Sequence, residues 1–208
     1  MIKDHLVIVK GSVTDLDAVR RTIQPGGDDS PVVDIIVSGI GGKVLFHNPL
    51  SPTLDNPTIC QDGIRVILSA AAGAARSSSD TDKKPTLIVL STTGVTDKCR
   101  DVPFAMMPLY YWLLKVPHED KKVMEGLIRE ESVKSVQERG IGEYTIVRPS
   151  MLTDSVGVGL NKIQVGVEDK PAVGYFIARE DVGQWVFEVL VKPGLTNDYL
   201  GQAVSITA

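Results

Sequence analysis

The chain has 208 residues and a mass of 22.5 kDa, with 43% hydrophobic and 23% charged residues, the balance of an ordinary soluble domain with apolar material for one sizeable core. A net charge of −4 and a pI near 5.4 argue against a nucleic-acid binder that works by neutralising phosphates. No apolar run nears the ~18 residues needed to span a bilayer, and the start, MIKDHLVIVK, has no cleavage-like region. The cysteines, Cys60 and Cys99, form neither a disulfide framework nor a metal-ligand spacing. These features predict one cytoplasmic domain with no metal, membrane or nucleic-acid partner.

The run His5–Lys10 (HLVIVK) predicts a buried strand, ended by Gly11 and Ser12. Thr14 offers an N-cap, and Leu16, Val19 and Ile23 fall on one helical face. The break Pro25–Asp29 leads to a second buried strand, Val32–Val37, and then to Ser38-Gly-Ile-Gly-Gly42. After a polar, proline-rich stretch (Asn48–Pro57), Asn56 and Pro57 open a helix with the stripe Ile64, Ile67, Leu68, Ala71 and Ala75. A polar loop, Arg76–Lys84, leads to the strand Thr86–Leu90 and its end Ser91-Thr-Thr-Gly94. Phe104–Lys115 reads as an aromatic-rich helix, Glu119–Arg139 as a long charged one, and Tyr144–Val147 as a further strand. Short strands are expected at Lys162–Val167, Val173–Ile177 and Ala203–Thr207, with a helix over Glu180–Val191 carrying Val182, Trp185, Val186 and Val189 inward. Strands that are apolar throughout and alternate with helices predict an α/β fold, a parallel sheet with helices on both faces.

Several chemistries drop out. There is no G-x-S-x-G or H-E-x-x-H, and His5, His47 and His118 lie far apart in sequence. The run Gly39–Lys43 is no phosphate loop, because Val37 stands where its first glycine belongs and Val44 where Ser or Thr would hold Mg²⁺. In open α/β sheets, ligands bind beyond the carboxyl ends of the strands. Those ends here are Gly11-Ser12-Val13, Gly39-Ile40-Gly41, Ser91-Thr92-Thr93 and Arg148-Pro149-Ser150. Small residues also punctuate turns generally, but small residues at three of four strand ends favour a ligand crevice.

The segments DIIVSGIG (34–41), LIVLSTTG (87–94), Lys121-x-x-x-Glu125, YTIVRPS (144–150) and AREDVG (178–183) resemble the atypical short-chain dehydrogenase/reductases, and within them the NmrA-like and biliverdin/flavin-reductase-like NAD(P)-binding proteins. The resemblance covers nearly the whole chain and implies a Rossmann-like domain that binds NADP or NAD. It starts at the family's third strand. The G-x-x-G-x-x-G strand-turn-helix that opens the family and holds the pyrophosphate has no counterpart in the sequence. The first βαβ portion is therefore expected to be missing, as in a fragment or shortened gene product. In strand order 3-2-1-4-5-6 that absence leaves residues 6–9 without a neighbour and Ile35–Val37 as an exposed edge, able to pair with another strand or a second copy.

The resemblance also implies residue roles. Gly11, Ser12 and Val13 would line the adenine side, and Gly39 and Ile40 would approach the neighbouring ribose. Ser91 and Thr92 or Thr93 would stand near the nicotinamide, Lys121 would hold its ribose, and Pro149 and Ser150 would flank its carboxamide. For the acid, Tyr111-x-x-x-Lys115 matches the usual short-chain pattern but lies ten residues early, His118 is the nearest titratable group to Lys121, and a reductase can also take its proton from solvent. Phe104–Trp112, with Met106 and Met107, would roof a flat substrate, and residues 149–178 would form the substrate side. Two functions are consistent with this pattern. One is NAD(P)-dependent hydride transfer to or from a small planar molecule. The alternative is a non-catalytic nucleotide-sensing or protein-binding module on a truncated reductase frame.

Overall fold

The computed structural model describes residues 6–27, 30–45, 52–77, 84–192 and 198–208. His5, His47 and parts of the expected Pro25–Asp29, Asn48–Pro57 and Arg76–Lys84 loops lie outside them. A five-stranded sheet runs in the order β1 (Ile35–Ser38), β4 (Thr86–Leu90), β5 (Tyr144–Pro149), β9 (Gln202–Thr207), β7 (Gln164–Val167). The first four strands are parallel, and β7 closes the far edge antiparallel to β9. Two small ladders lie apart from it: β2 (Val44–Leu45) with β3 (Thr53–Leu54), and β6 (Met151–Thr153) with β8 (Phe176–Ala178).

The apolar strands are covered on both sides. Leu87, Val89 and Ile146 pack with α1 (Leu16–Ile23), α2 (Ile59–Ser77) and α4 (Lys115–Ser132), through Ile64, Ala71, Met124 and Ile128. Alternate strand residues point the other way. Ile88, Val147, Val204 and Ile206 meet Val182 and Trp185 of α5 (Arg179–Trp185) and Leu190 of the π-helical turn Val186–Val191 that prolongs it.

Four details depart from expectation. Residues 6–10 form no strand, and Leu6, Val7 and Ile8 are exposed. A strand exists only where a neighbour takes its N–H and C=O groups, and among the described residues β1 ends the sheet with no strand on its outer side. Asp15, not Thr14, caps α1, its carboxylate accepting the Asp17 and Ala18 N–H groups at 3.0 and 3.2 Å. The charged helix starts at Lys115, two residues after α3 (Met107–Leu113), and stops at Ser132. There the buried Glu131 accepts the Gly140 N–H at 2.6 Å, turning the chain back against α2. The π turn carries Leu190 into the core, leaving Val189 half-buried.

Candidate functional site

At the carboxyl ends of β1 and β4 the site is organised by Lys121. Its ammonium donates to the backbone carbonyls of Ile40 at 2.8 Å and Leu90 at 2.7 Å. An ammonium has three N–H groups, so these two bonds fix its position and leave the third on the side of the Cys60 thiol. Lys121, Thr92, Gly41, Gly42, Cys60 and His118 line a small crevice. The preceding residue, Asp120, reaches the start of α2. Buried, it accepts the Cys60 and Gln61 N–H groups, each at 2.9 Å, capping α2 from another helix. The N–H groups with which a helix start would bind phosphate are thus committed within the protein. Burial pushes the Cys60 thiol up to about 11 against the nearby Lys121 charge, so it remains a thiol, placed toward the Ile40 carbonyl at 3.4 Å.

A second, larger cavity adjoins the crevice and shares His118 with it. Its lining includes Gly94, Asp101, Met107, Tyr110 and Tyr111. Gly94 has φ +87°, and a Cβ there would stand 2.7 Å from His118 and 2.9 Å from Tyr110, so only glycine lets these rings approach the strand end. The Tyr110 and His118 rings lie 5.4 Å apart. Burial drives the His118 pKa down to about 4 and raises that of Tyr110, leaving both neutral near pH 7.

Beneath the site runs a charged chain. Arg148 on β5 donates to Glu125 of α4 at 3.0 and 2.5 Å, and to Glu168 at 3.2 Å. Glu125 also accepts the Ser91 hydroxyl at 2.6 Å, while Glu168 takes Arg129 at 2.9 Å and Lys98 at 3.0 Å. Burial opposes charge on Arg148, but the Glu125 hydrogen bond and charge outweigh it. The network locks the Ser91 strand end and the Lys98 wall to the sheet.

The predicted residues divide accordingly. Ile40, Thr92, His118 and Lys121 come together. Val13 and Gly39 lie with Ile40 along the outer groove of β1, and Gly11 and Ser12 open from Val13 onto the surface. Thr93 is buried and turns to the Tyr110 hydroxyl at 3.4 Å. Ser91 is taken by Glu125. Pro149 and Ser150 are buried, with the Ser150 hydroxyl on Thr207 at 2.9 Å. Tyr111 is 72% exposed, so the phenol set inside the cavity is that of Tyr110. Residues 149–178 line neither cavity. Their Glu168 and Asp169 brace its wall, through Lys98 and Cys99. Glu180 and Asp181 in the AREDVG segment hold the N–H groups of Gly157, Val158 and Gly159, each at 2.9 Å.

Asp101 escaped the sequence reading, and Tyr110 entered it only as part of the Phe104–Trp112 segment expected to roof the substrate. For Tyr110 the spacing held a signal, since Tyr110, Leu114, His118, Lys121 and Glu125 recur at three or four residues, one face of the nearly continuous helices α3 and α4, joined through Leu114. For Asp101, in an irregular loop, there was none.

A family model described as NAD(P)H-binding matches residues 2–193. The reductase pytE of Aspergillus terreus is 56% identical over 209 residues, covering 99% of this chain and 79% of that protein. The oxidase pynE of Aspergillus niger is 34% identical over 218 residues, 93% and 76% of the two chains. Among solved structures, a wide-type short-chain dehydrogenase/reductase from Veillonella parvula in complex with NADP superposes with TM-score 0.60 at 12% identity, over 97% of this chain and 72% of its own.

Proposed function

The chain belongs to the NAD(P)H-binding family and is an NAD(P)-dependent oxidoreductase with a Rossmann-like α/β fold, and on that premise we propose that the Lys121 crevice receives the nicotinamide–ribose end of the cofactor. The observation that carries this reading is the clamp of Lys121 on the Ile40 and Leu90 carbonyls, which leaves one ammonium N–H, beside the Cys60 thiol, for a ribose hydroxyl at the place where open α/β sheets bind nucleotides. The residues present suit that group. Gly39 and Gly41 add no side chain at the strand end, and a Cβ at Gly41 would meet nothing within 4 Å.

When bound, the cofactor supplies the hydride donor or acceptor. Lys121 orients its sugar and adds positive potential, and Thr92 offers a hydroxyl to the same space. Gly11, Ser12 and Val13 extend the site toward the adenine along the surface beside Gly39. Neutral His118 separates the crevice from the cavity holding the substrate. With His118 pushed down to about 4 and Tyr110 raised, neither titrates near neutral pH, which supports proton delivery from solvent. Kinship with pytE, named a reductase, supports reduction of a small molecule over a non-catalytic role. Residues 1–208 act as one domain in this reading, with 149–178 buttressing the substrate side. No helix among the described residues is long and apolar enough to cross a membrane, in keeping with a cytoplasmic enzyme. The apolar outer edge of β1, with Val37 49% exposed, would pair with a second copy.

The test is a titration of NADPH and NADH into the purified chain and its Lys121→Met variant. Micromolar binding by the parent chain, weakened about tenfold or more in the variant as a charge-assisted hydrogen bond is lost, is the expected result. Equal binding by the two chains, with unchanged melting temperatures, rejects the crevice.

A further inference from the structure

The helical stretch from the 3₁₀ turn Phe104–Met106 through α3 into the start of α4 is apolar on two sides. A helix that covers one core needs one apolar face, and its other face is normally polar. Here Tyr110 is buried and Met107 and Leu114 are half-buried, while Phe104 is 73%, Tyr111 72% and Trp112 48% exposed. Pro108 and Lys115 are exposed with them, and steps of three or four residues set all five on one side of the stretch. Single exposed apolar residues are ordinary, but a cluster of three aromatics marks an interaction surface. The charge around this face has one sign. Residues 98–117 hold Lys98, Arg100 and Lys115 against a single acid, Asp101, in a chain of net charge −4. Asp101 is 2% exposed, so the segment shows only cations to solvent. Arg100 lies 4.0 Å over the Phe104 ring, and Lys115 has no ion-pair partner among the described residues. Of the flanking acids, Asp97 pairs with Lys122 and Glu119 stands exposed one turn further along α4.

The cationic rim selects an anionic partner, and the aromatic set selects one with an apolar layer beneath its anions. A leaflet containing anionic lipids has both. We propose that the Phe104–Lys115 face docks on an anionic lipid surface. Phe104, Tyr111 and Trp112 enter the headgroup layer, where rings with an apolar body and a polar edge are favoured, and Arg100 and Lys115 meet the lipid anions. No helix among the described residues is long and apolar enough to cross a bilayer, and a face lying in the plane of the headgroups needs no such span. Because the stretch is short, binding is reversible and on the order of a single acyl anchor or weaker. The proposal is independent of the assignment of the Lys121 crevice to the cofactor.

The chain carries its own reporter. Of its two tryptophans, Trp112 is 48% and Trp185 3% exposed, so an emission shift on docking belongs to Trp112. The experiment is vesicle co-sedimentation with tryptophan emission, on the parent chain, the Phe104→Ser/Tyr111→Ser double variant and Lys115→Glu. The vesicles are phosphatidylcholine alone and phosphatidylcholine with phosphatidylserine at about 7:3, the second supplying the negative surface potential. The parent chain is expected to bind the mixed vesicles about tenfold or more tighter than the neutral ones, the effect of two or three basic side chains near the surface. Its emission should move to the blue, and salt should weaken the binding. The double variant should lose about tenfold or more in affinity, and Lys115→Glu severalfold for the mixed vesicles alone, both at unchanged melting temperature. No binding, equal binding to the two kinds of vesicle, or undiminished binding by the double variant overturns the proposal. Self-association without vesicles that the double variant abolishes, read by sedimentation velocity, would assign the face to a second copy and also overturn it.

Discussion

Leu6, Val7 and Ile8 are 65, 75 and 84% exposed, whereas Leu87, Ile88 and Val89 of β4 are at most 1% exposed, although both runs are short and built of leucine, isoleucine and valine. β4 lies between β1 and β5, with helices on both faces. Residues 6–10 meet no ladder. Strand character is thus a property of the place as much as of the side chains, since the gain from burying an apolar residue needs something to bury it against. The same difference separates the centre of the sheet from its β1 margin. At the centre, Arg148 of β5 is tied to Glu125 and Glu168 by buried charge, while the β1 margin presents an apolar groove lined by Val13, Val19, Ile36, Val37 and Ile40.

Truncation is the most direct probe of the two runs. Ile88→Ala is expected to destabilise the chain by about 2–5 kcal/mol and Ile8→Ala by less than ~0.5 kcal/mol, measured by urea denaturation. Equal costs would mean that residues 6–10 are packed in solution. A smaller, pH-dependent effect belongs to His118. Its folded-state value of about 4 lies below the ordinary 6.5, so the unfolded chain binds the extra proton more readily. The stability tied to neutral His118 is present above about pH 6.5 and is lost as pH falls toward 4. Asp101, whose carboxyl is raised by burial, acts in the opposite sense, its contribution fading as pH rises. The His118→Gln variant should therefore flatten only the fall below pH 6.5 in a denaturation series, and an unaltered profile would show that the imidazole titrates normally. Smallest in stability and clearest in mass is Val37→Lys. A charge on the β1 edge should turn a self-associating chain into a monomer by sedimentation velocity, with little change in melting temperature. A parent chain already monomeric at high concentration would remove the pairing altogether.

Much of the architecture was legible because burial on both faces writes itself as unbroken apolar runs. Thr86–Leu90, Tyr144–Val147 and Ala203–Thr207 are strands where those runs stand, and Asn56 does begin the turn that leads into α2, its carboxamide accepting the Thr58 N–H at 3.2 Å. The exposed edge at Ile35–Val37 followed from counting strands against the Rossmann order. Tertiary demands were not legible. The stop of α4 at Ser132 depends on Glu131 reaching Gly140, and the cap on α2 comes from Asp120, 60 residues from Cys60. Lys121 could be singled out by its place in a motif, but its two carbonyl partners belong to strand ends 81 and 31 residues away in sequence. Asp101 carries no local pattern, and only the folded chain shows that one of its oxygens is occupied and the other is not.

The clamp formed by Lys121 has a mechanical consequence. Because one ammonium holds the last turns of both β1 and β4, it acts as a rivet between the outermost strand and its neighbour, and anything that pulls on the remaining N–H loads both strands at once. Ligand capture in the crevice and fraying of the sheet margin are then two readings of one equilibrium. Amide hydrogen exchange along Ile35–Ile40 becomes a gauge of occupancy at a site those residues only partly line.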